Sequence, residues 1–156
     1  MRFTTLIAAA CLAAASCSAP KPAEKPAAAT TEPAKPADES RRFPKPGLLE
    51  TKVVDNHLLG KSFMPGGTLA HYKKGKTEYD MFVAKLSSPT DAAIALLDWK
   101  KDMPDATLVA SFGGYFGQDA GRPLFVFTKG SWIAGIAGLP QKQADAAARL
   151  LAAELD

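Results

Sequence analysis

The sequence predicts an α+β domain in which an antiparallel β-sheet packs against two helices. Short segments rich in β-branched and aromatic residues alternate with glycine-containing turns, and two longer segments carry apolar residues at helical spacing. Over residues 41–156 the predicted order is β-β-α-β-β-β-β-α, with about five to six strands. Because consecutive strands joined by short turns pair antiparallel, we expect a single sheet, with both helices packed on one face of it.

Before the first helix the pattern predicts two long strands joined by a lysine-rich hairpin and, further upstream, a glycine turn and one short strand. In chain order these are the strand Lys52–Asp55, the turn Pro65–Gly67, and the strands Thr68–Tyr72 and Thr77–Leu86 with the hairpin Lys73–Lys76 between them. The segment 41–67 has the weakest pattern of the domain, and Pro44 and Pro46 keep its start extended.

Both helices have clear boundaries in the sequence. Ser88 can cap the first helix, Pro89 suits its first turn, and Pro104 ends it. Pro140 marks the start of the second helix. Their apolar stripes, which recur every three or four residues, are Ala92, Leu96, Trp99 and Met103 in the first helix and Ala144, Ala147, Ala148, Leu151 and Leu155 in the second.

Four strands are predicted between the helices, and they carry the most informative pattern. They are Thr107–Phe112, Tyr115–Gly117, Pro123–Thr128 and Ser131–Gly138. An antiparallel strand with one wet face alternates apolar and polar residues, yet the last two of these strands are apolar on both faces. Because two helices on one side cover only one face of a small sheet, we expect the other face to be covered by segment 43–66, by a second copy of the protein or by a ligand.

Six of the 13 aromatic residues fall in this part of the chain and define the candidate surface for a partner or ligand. They are Phe112, Tyr115, Phe116, Phe125, Phe127 and Trp132. One hypothesis is that this aromatic sheet face binds an envelope protein or a second copy of the chain. The alternative is a periplasmic carrier or sensor that holds an apolar small molecule against these residues, Phe125 excepted.

The N-terminus has the pattern of an export signal. Arg2 precedes a 13-residue uncharged run, Phe3–Ala15, which is shorter than the roughly 20 residues that span a bilayer core. Both cysteines, Cys11 and Cys17, lie in this region, so the domain at 41–156 has no thiol for catalysis, disulfide exchange or metal binding. We expect residues 1–16 to be a removable signal peptide and the mature protein to reside in the bacterial cell envelope.

The string Leu12-Ala13-Ala14-Ala15-Ser16-Cys17 resembles the lipobox of bacterial lipoproteins, in which an acylated cysteine becomes the new N-terminus. The small residues before Cys17 match, whereas Ala14 stands where leucine is usual. The resemblance implies three acyl chains on Cys17, which suffice for stable membrane anchoring, and Ser18 implies the outer membrane. The alternative is cleavage after Ala13–Ala15, which gives a soluble periplasmic or secreted protein with a free thiol.

Residues 17–40 read as a lipidated cysteine followed by a disordered tether. Between residues 18 and 40 there are five prolines, seven alanines and no larger aliphatic or aromatic residue, so this segment cannot form a core. Its prolines favour extended polyproline II structure at about 3.1 Å per residue, which would hold the domain away from the bilayer. A proline-rich ligand for an aromatic groove is the alternative.

The sequence contains no motif for catalysis or cofactor binding. His57 and His71 are the only histidines, fewer than the three or four ligands that zinc requires, and we expect them at the surface. Glu78 and Asp80 lie two residues apart in a charged stretch and are expected to be solvated. The net charge of +3 is too weak to indicate a nucleic-acid partner. We therefore expect a non-enzymatic protein without catalytic residues, metal or cofactor.

Three motifs resemble an uncharacterised family of small exported bacterial proteins of unknown function: Tyr79-Asp80-Met81, Ser88-Pro89 followed by Ala92, and the strand segment Phe125–Trp132. The resemblance covers about half of the chain, over about residues 79–155. It implies the α+β fold, and it implies no reaction, cofactor or catalytic residue. Members of that family are longer upstream, so segment 41–67 would be a reduced version in this chain.

Overall fold

The computed structural model describes residues 35–156, which form a seven-stranded antiparallel sheet and two α-helices. In chain order the elements are β1 (Leu48–Asn56), β2 (Pro65–Lys74), β3 (Thr77–Lys85), α1 (Pro89–Asp102), β4 (Thr107–Val109), β5 (Gly114–Asp119), β6 (Arg122–Lys129), β7 (Trp132–Ala137) and α2 (Gln141–Ala153). Across the sheet the order is β1-β2-β3-β7-β6-β5-β4. The predicted α+β class is confirmed, but the sheet has seven strands instead of the predicted five to six, and three strands precede the first helix instead of the two in the predicted order. The predicted signal peptide, Cys17 and residues 18–34 of the tether lie outside the described residues.

Both helices begin where the sequence predicts. The Ser88 hydroxyl accepts a hydrogen bond from the Asp91 backbone N–H at 3.1 Å and donates one to the Asp91 carboxylate at 2.8 Å. Pro89 occupies the first helical position, and α1 stops two residues before Pro104. Helix α2 starts directly after Pro140. Local capping and proline chemistry therefore fix the helix boundaries.

Strands β6 and β7 form the centre of the sheet and are apolar on both faces, as predicted. Every residue of β7 is buried, and so is the run Leu124–Phe127 in β6. A Cβ atom at Gly135 of β7 would lie 2.5 Å from the Phe82 ring and 2.6 Å from the Phe125 carbonyl oxygen. The absence of a side chain at Gly135 thus lets the rings around it pack against the strand.

The two helices lie on opposite faces of the sheet, so the prediction that both pack on one face is wrong. The buried stripe of α2 packs on the face of β6 that carries Phe125 and Phe127. The buried stripe of α1 packs on the other face, which carries Leu124 and Val126. Because successive strand residues point to opposite faces, each helix covers one of the two apolar faces. No uncovered aromatic face remains at the centre of the described sheet.

Segment 43–66, one of the three covers considered from the sequence, completes both layers. On the α1 side Leu58 and Met64 are buried, and the Trp99 indole N–H donates to the Met64 sulfur at 3.3 Å. On the α2 side Phe43 is buried in the core. Segment 43–66 of the same chain therefore covers the parts of both sheet faces that lie beyond the helices.

Lys61 connects the loop between β1 and β2 to the neighbouring elements α1 and β5. Its ammonium group lies 4.9 Å from the centre of the Trp99 ring and forms ion pairs with Asp102 at 2.9 Å and Asp119 at 2.7 Å. Partial burial lowers the pKa of Lys61, but hydrogen bonds to the two carboxylates outweigh it and raise the pKa above the ordinary value. Lys61 thus stays charged at neutral pH and joins the loop to α1 and β5.

The sheet has a longer N-terminal part than predicted. Strand β1 has nine residues instead of the four predicted at Lys52–Asp55. The sequence Pro65–Gly67, predicted as a turn, is the start of β2. Cβ atoms at Gly66 and Gly67 would collide with backbone carbonyl oxygens of the neighbouring strands β1 and β3. These glycines therefore permit close strand approach and do not break the strand.

Residues Asp38–Phe43, here called the N-terminal strap, pack on the domain before β1 begins. The Glu39 backbone N–H donates to the hydroxyl of Thr68 at 3.0 Å, and Thr68 is fully buried. A short 3₁₀ turn at Ser40–Arg42 then brings Phe43 into the core. The strap thus contributes its own buried contacts to the α2 side of the sheet.

Arg42 connects the strap to the C-terminal end of the chain. Its guanidinium group donates to the Glu39 carboxylate at 2.8 Å and to the Glu154 carbonyl oxygen at 2.5 Å, and it lies 4.5 Å from the centre of the Trp132 ring. The Trp132 indole N–H donates to the Asp156 carbonyl oxygen at 3.0 Å. The two ends of the domain therefore meet over one tryptophan.

We predict that Arg42→Ala lowers the free energy of unfolding by about 2 kcal/mol, because it removes a cation–π contact and two charge-assisted hydrogen bonds. Urea denaturation followed by circular dichroism measures this change. Arg41→Ala is the matched control, since the Arg41 side chain is 79% exposed and that of Arg42 is 16% exposed. Equal effects of the two substitutions would contradict the role of the strap.

Candidate functional site

The six predicted aromatic residues do not form an exposed surface. Five of them lie on the face that α2 covers: Phe112, Phe116, Phe125, Phe127 and Trp132. Of these, Phe125, Phe127 and Trp132 are buried. Tyr115 lies on the opposite face, with the Lys100 ammonium 5.3 Å from its ring. Helix α2 thus removes the sheet aromatics from the surface, and a partner cannot dock on them as a flat face.

One open groove remains beside these aromatic residues, on the β5 side of α2. This phenylalanine groove has a volume of about 480 Å³ and is lined by Ser111, Phe112, Phe127, Thr128, Lys129, Arg149 and Ala152. The rings of Phe112 and Phe127 meet edge to face at 4.7 Å. Arg149 lies 5.4 Å from the Phe112 ring and is held by Asp145 at 3.1 Å, so its charge is already paired.

A second concavity lies on the other flank of α2, over β2 and β3. Its floor is the pair Tyr72 and Tyr79, which the register of β2 and β3 places directly opposite each other. Their rings are stacked, with centroids 5.1 Å apart and an angle of 13° between the planes. Directly opposite residues of antiparallel strands have the closest side chains in a sheet, and this produces the stack.

Small residues of α2 leave room above the two tyrosines. The resulting cleft, here called the tyrosine cleft, has a volume of about 240 Å³ and is lined by Pro44, Pro46, Tyr72, Lys74, Thr77, Tyr79, Met81, Leu139, Gln143, Ala146, Ala147 and Leu150. Ala146 and Ala147 form the helix side of the cleft, and Leu150 at its rim is 61% exposed. Leu150 thus continues the apolar lining of the cleft to its rim.

The tyrosine cleft is lined by one charged side chain, Lys74, and otherwise by neutral polar and apolar groups. The Tyr72 hydroxyl donates to the Pro44 carbonyl oxygen at 2.7 Å. Tyr79 also lines the cleft, and it is 7% exposed. Burial raises the pKa of both Tyr72 and Tyr79 above the ordinary value. The cleft can therefore bind an apolar group, and Lys74 and Gln143 can donate hydrogen bonds to polar atoms beside that group.

The sequence patterns did not single out the tyrosine cleft. Tyr72 was predicted only as a strand residue, Tyr79 as a strand residue within the motif Tyr79-Asp80-Met81, and Pro44 and Pro46 only as extended chain. The predicted four-residue hairpin Lys73–Lys76 would place Tyr72 opposite Thr77, whereas the observed pairing of Lys74 with Thr77 places Tyr72 opposite Tyr79. The approach of the prolines and α2 depends on distant parts of the chain, and no local pattern reports it.

The histidine and the carboxylates considered from the sequence form a structural network. His71 Nδ1 lies 2.7 Å from Asp80 Oδ1, and Arg122 donates to Asp80 Oδ2 at 2.8 Å. The Asp80 side chain is only 14% exposed, so the expectation that it is solvated is wrong. Glu78 is exposed as expected, and its hydrogen bond with Lys73 at 2.8 Å lowers the pKa of Glu78. Both Asp80 oxygens are occupied, and the network holds β2, β3 and β6 together.

Comparisons of the chain with protein-family models, curated proteins and solved structures found no match. Within residues 35–156 no group of three or more His, Cys, Asp or Glu side chains is placed to hold a metal ion. Neither helix of the described region has the length and apolarity that crossing a membrane requires. Function has to be inferred from the geometry of the clefts.

We predict that Tyr72→Phe lowers the free energy of unfolding by about 1 kcal/mol at neutral pH, because the Pro44 carbonyl loses its donor. Tyr79→Phe is the control and should lower the free energy of unfolding by a smaller amount. The raised pKa of Tyr72 contributes stability that is complete below the unfolded value near pH 10 and is lost as the pH rises above it. The difference between wild type and Tyr72→Phe should therefore narrow above about pH 10 in urea titrations. A constant difference would contradict this.

Proposed function

We propose that this protein is a non-enzymatic lipoprotein of the bacterial cell envelope that binds a protein partner through the tyrosine cleft. The observation that carries the proposal is the combination of two stacked tyrosines, a helix flank of alanines and a highly exposed Leu150 around one concavity. Tyrosine, which combines an aromatic ring with a polar hydroxyl, is enriched where proteins bind other proteins.

The size of the cleft favours a protein segment over a free small molecule. Sites for drug-sized ligands have volumes of about 300–1,000 Å³ and enclose most of the ligand. The tyrosine cleft, at about 240 Å³, has room for one or two side chains and is open to solvent on one side. A side chain that enters it remains attached to a partner that contacts the rim at Leu150.

The cleft already binds an extended proline-containing segment of its own chain. Pro44 and Pro46 line its wall, and the Tyr72 hydroxyl donates to the carbonyl oxygen of Pro44. Proline-rich segments of partner proteins also dock in grooves lined by aromatic residues. We therefore propose that the partner presents an extended segment with a proline or another apolar side chain.

The proposed anchor is an acylated Cys17. Three acyl chains would hold the protein firmly in the membrane, and the proline-rich residues 18–34 would form a spacer between the membrane and the domain. The lipobox-like sequence before Cys17 and the serine after it support this location, in the outer membrane and facing the periplasm.

A second candidate function is that of a carrier or sensor of an apolar small molecule, and the phenylalanine groove favours it. Its volume of about 480 Å³ falls within the range of small-molecule sites, and it is lined by Phe112 and Phe127, two of the five aromatic residues considered for such a site from the sequence. Native mass spectrometry of protein purified from its own envelope separates the two functions, because only a carrier retains a bound adduct.

We expect a photo-crosslinking amino acid in place of Leu150 to give a discrete cross-linked product with another protein in the producing bacterium. The same replacement at Leu97 is the matched control, because Leu97 is also a half-exposed helix leucine, 50% exposed on α1. Adding Tyr79→Ala to the Leu150 probe should abolish the product. Similar products from positions 150 and 97, or none from 150, would exclude the cleft as the binding site.

We expect Cys17→Ser to release the protein from the membrane fraction, since the substituted residue has no thiol to acylate. Fractionation of cells that express each form, with detection of the C-terminal domain by antibody, measures this. Cys11→Ser is the control and should leave the distribution unchanged, because Cys11 lies within the predicted signal peptide. Equal membrane association of the Cys17→Ser protein would refute acylation at this position.

A further inference from the structure

Strand β1 leaves one long edge of the sheet without a neighbouring strand. It pairs with β2 on one side and is the last strand in the described sheet. Leu49–Lys52 are exposed, and the Leu49 side chain is 57% exposed. The opposite edge, β4, has only three residues, whereas β1 has nine. A long edge strand with free backbone groups is a template for pairing with another strand.

We propose that β1 pairs with β1 of a second copy of this chain, antiparallel and around a two-fold axis perpendicular to the sheet. The two sheets would then form one continuous sheet through both copies. Such an interface is isologous, so the same residues of both copies meet. The proposal names a second copy as the occupant because the charge pattern of β1 is complementary to itself in one register.

The geometry of antiparallel strands allows only a few pairing registers between β1 and β1 of the second copy. A two-fold axis perpendicular to the sheet leaves each side chain on its original face. Directly opposite residues of antiparallel strands also share a face, and successive residues alternate between faces. The axis must therefore lie midway between one residue and the same residue of the second copy. The candidates for this central residue in the middle of β1 are Glu50, Thr51, Lys52 and Val53.

Only the register centred on Thr51 places opposite charges across from each other. Thr51 meets the partner's Thr51, and each Glu50 meets the partner's Lys52, so that two symmetric ion pairs form. The exposed Leu49 precedes these residues, at the irregularity of the strand. Within the described residues neither Glu50 nor Lys52 forms an ion pair of its own. Opposite charges directly across a strand pair are favourable.

The other registers place unfavourable pairs at the same positions. A centre at Glu50 or at Lys52 brings two like charges directly opposite each other, which is destabilising. A centre at Val53 leaves Glu50 and Lys52 without charged partners. The irregularity in the pairing with β2 lies at Leu49, between Leu48 and Glu50, so the regular strand begins at Glu50. The proposed interface is therefore centred on Glu50–Lys52 of each copy.

The two-fold axis is also compatible with a common membrane, a point that depends on the anchoring proposed above. The N-terminal strap and Phe43 lie on the α2 side of the sheet. A two-fold axis perpendicular to the sheet keeps this side the same in both copies, so that both tethers leave from one face of the joined sheet. The two tyrosine clefts lie on that same face, and both remain open.

Charge reversal tests the proposal, with the full chain carrying Cys17→Ser in every sample so that no lipid is present. Analytical ultracentrifugation should show a dimer for this reference. Glu50→Lys and Lys52→Glu, each alone, should weaken dimerisation by at least about tenfold, because each converts both ion pairs to like-charge pairs. The double variant should dimerise like the reference. An equimolar mixture of the two single variants should form a heterodimer, because opposite charges then meet at all four positions.

Each remaining outcome overturns the proposal. A reference that stays monomeric at high micromolar concentration excludes the dimer, and a dimer that both single variants retain uses another surface. Single variants that are monomeric and do not combine when mixed point to a different register or to a foreign strand as the occupant of β1. Thermal unfolding of each variant checks that the fold is intact, and none of these results depends on the cleft partner.

Discussion

Two adjacent strands with apolar residues on both faces determine the architecture. Strands β6 and β7 bury every apolar side chain that they carry, and each face needs its own cover because exposed apolar surface of this size is unfavourable in water. Helix α1 supplies one cover and α2 the other, which gives three layers. The antiparallel sheet thus has the two-sided burial that is usual for parallel sheets.

The position of the tyrosine cleft follows from this arrangement. Helix α2 is centred on β6 and β7 and is too narrow to reach β2 as well, because its sheet-facing and flanking residues are mostly alanines. The sheet under the gap still needs apolar cover, and Tyr72, Tyr79 and Met81 provide it with the prolines of the adjoining segment. A wider stripe on α2 would have filled the gap and left no cleft. The site is therefore a consequence of helix composition.

Local patterns predicted most elements, and they failed where distant contacts decide. The Ser88 cap, the prolines at the helix starts and the two-sided strands all act within a few residues, and these predictions hold. Whether the two helices lie on one face or on opposite faces depends on the order of the strands across the sheet. No short stretch of the sequence contains that information. Gly66 and Gly67 read as a turn because glycine is the usual breaker, whereas their role is contact with neighbouring strands. The tyrosine cleft was missed for the same reason.

The path of the strap gives the cleft a fixed wall. The strap runs along β2 on the α2 side of the sheet and leads to the cleft. At the start of the strap Glu39 is hydrogen-bonded to Thr68, and Pro44, directly after the strap, is hydrogen-bonded to Tyr72. Arg42 lies between these points and is held by Glu39, Trp132 and the Glu154 carbonyl. A displacement of the residues before Asp38 would therefore have to break the contacts of Arg42 before it reached Pro44. Arg42 thus stabilises the path of the strap between Thr68 and Tyr72, and with it the position of Pro44 in the wall of the cleft.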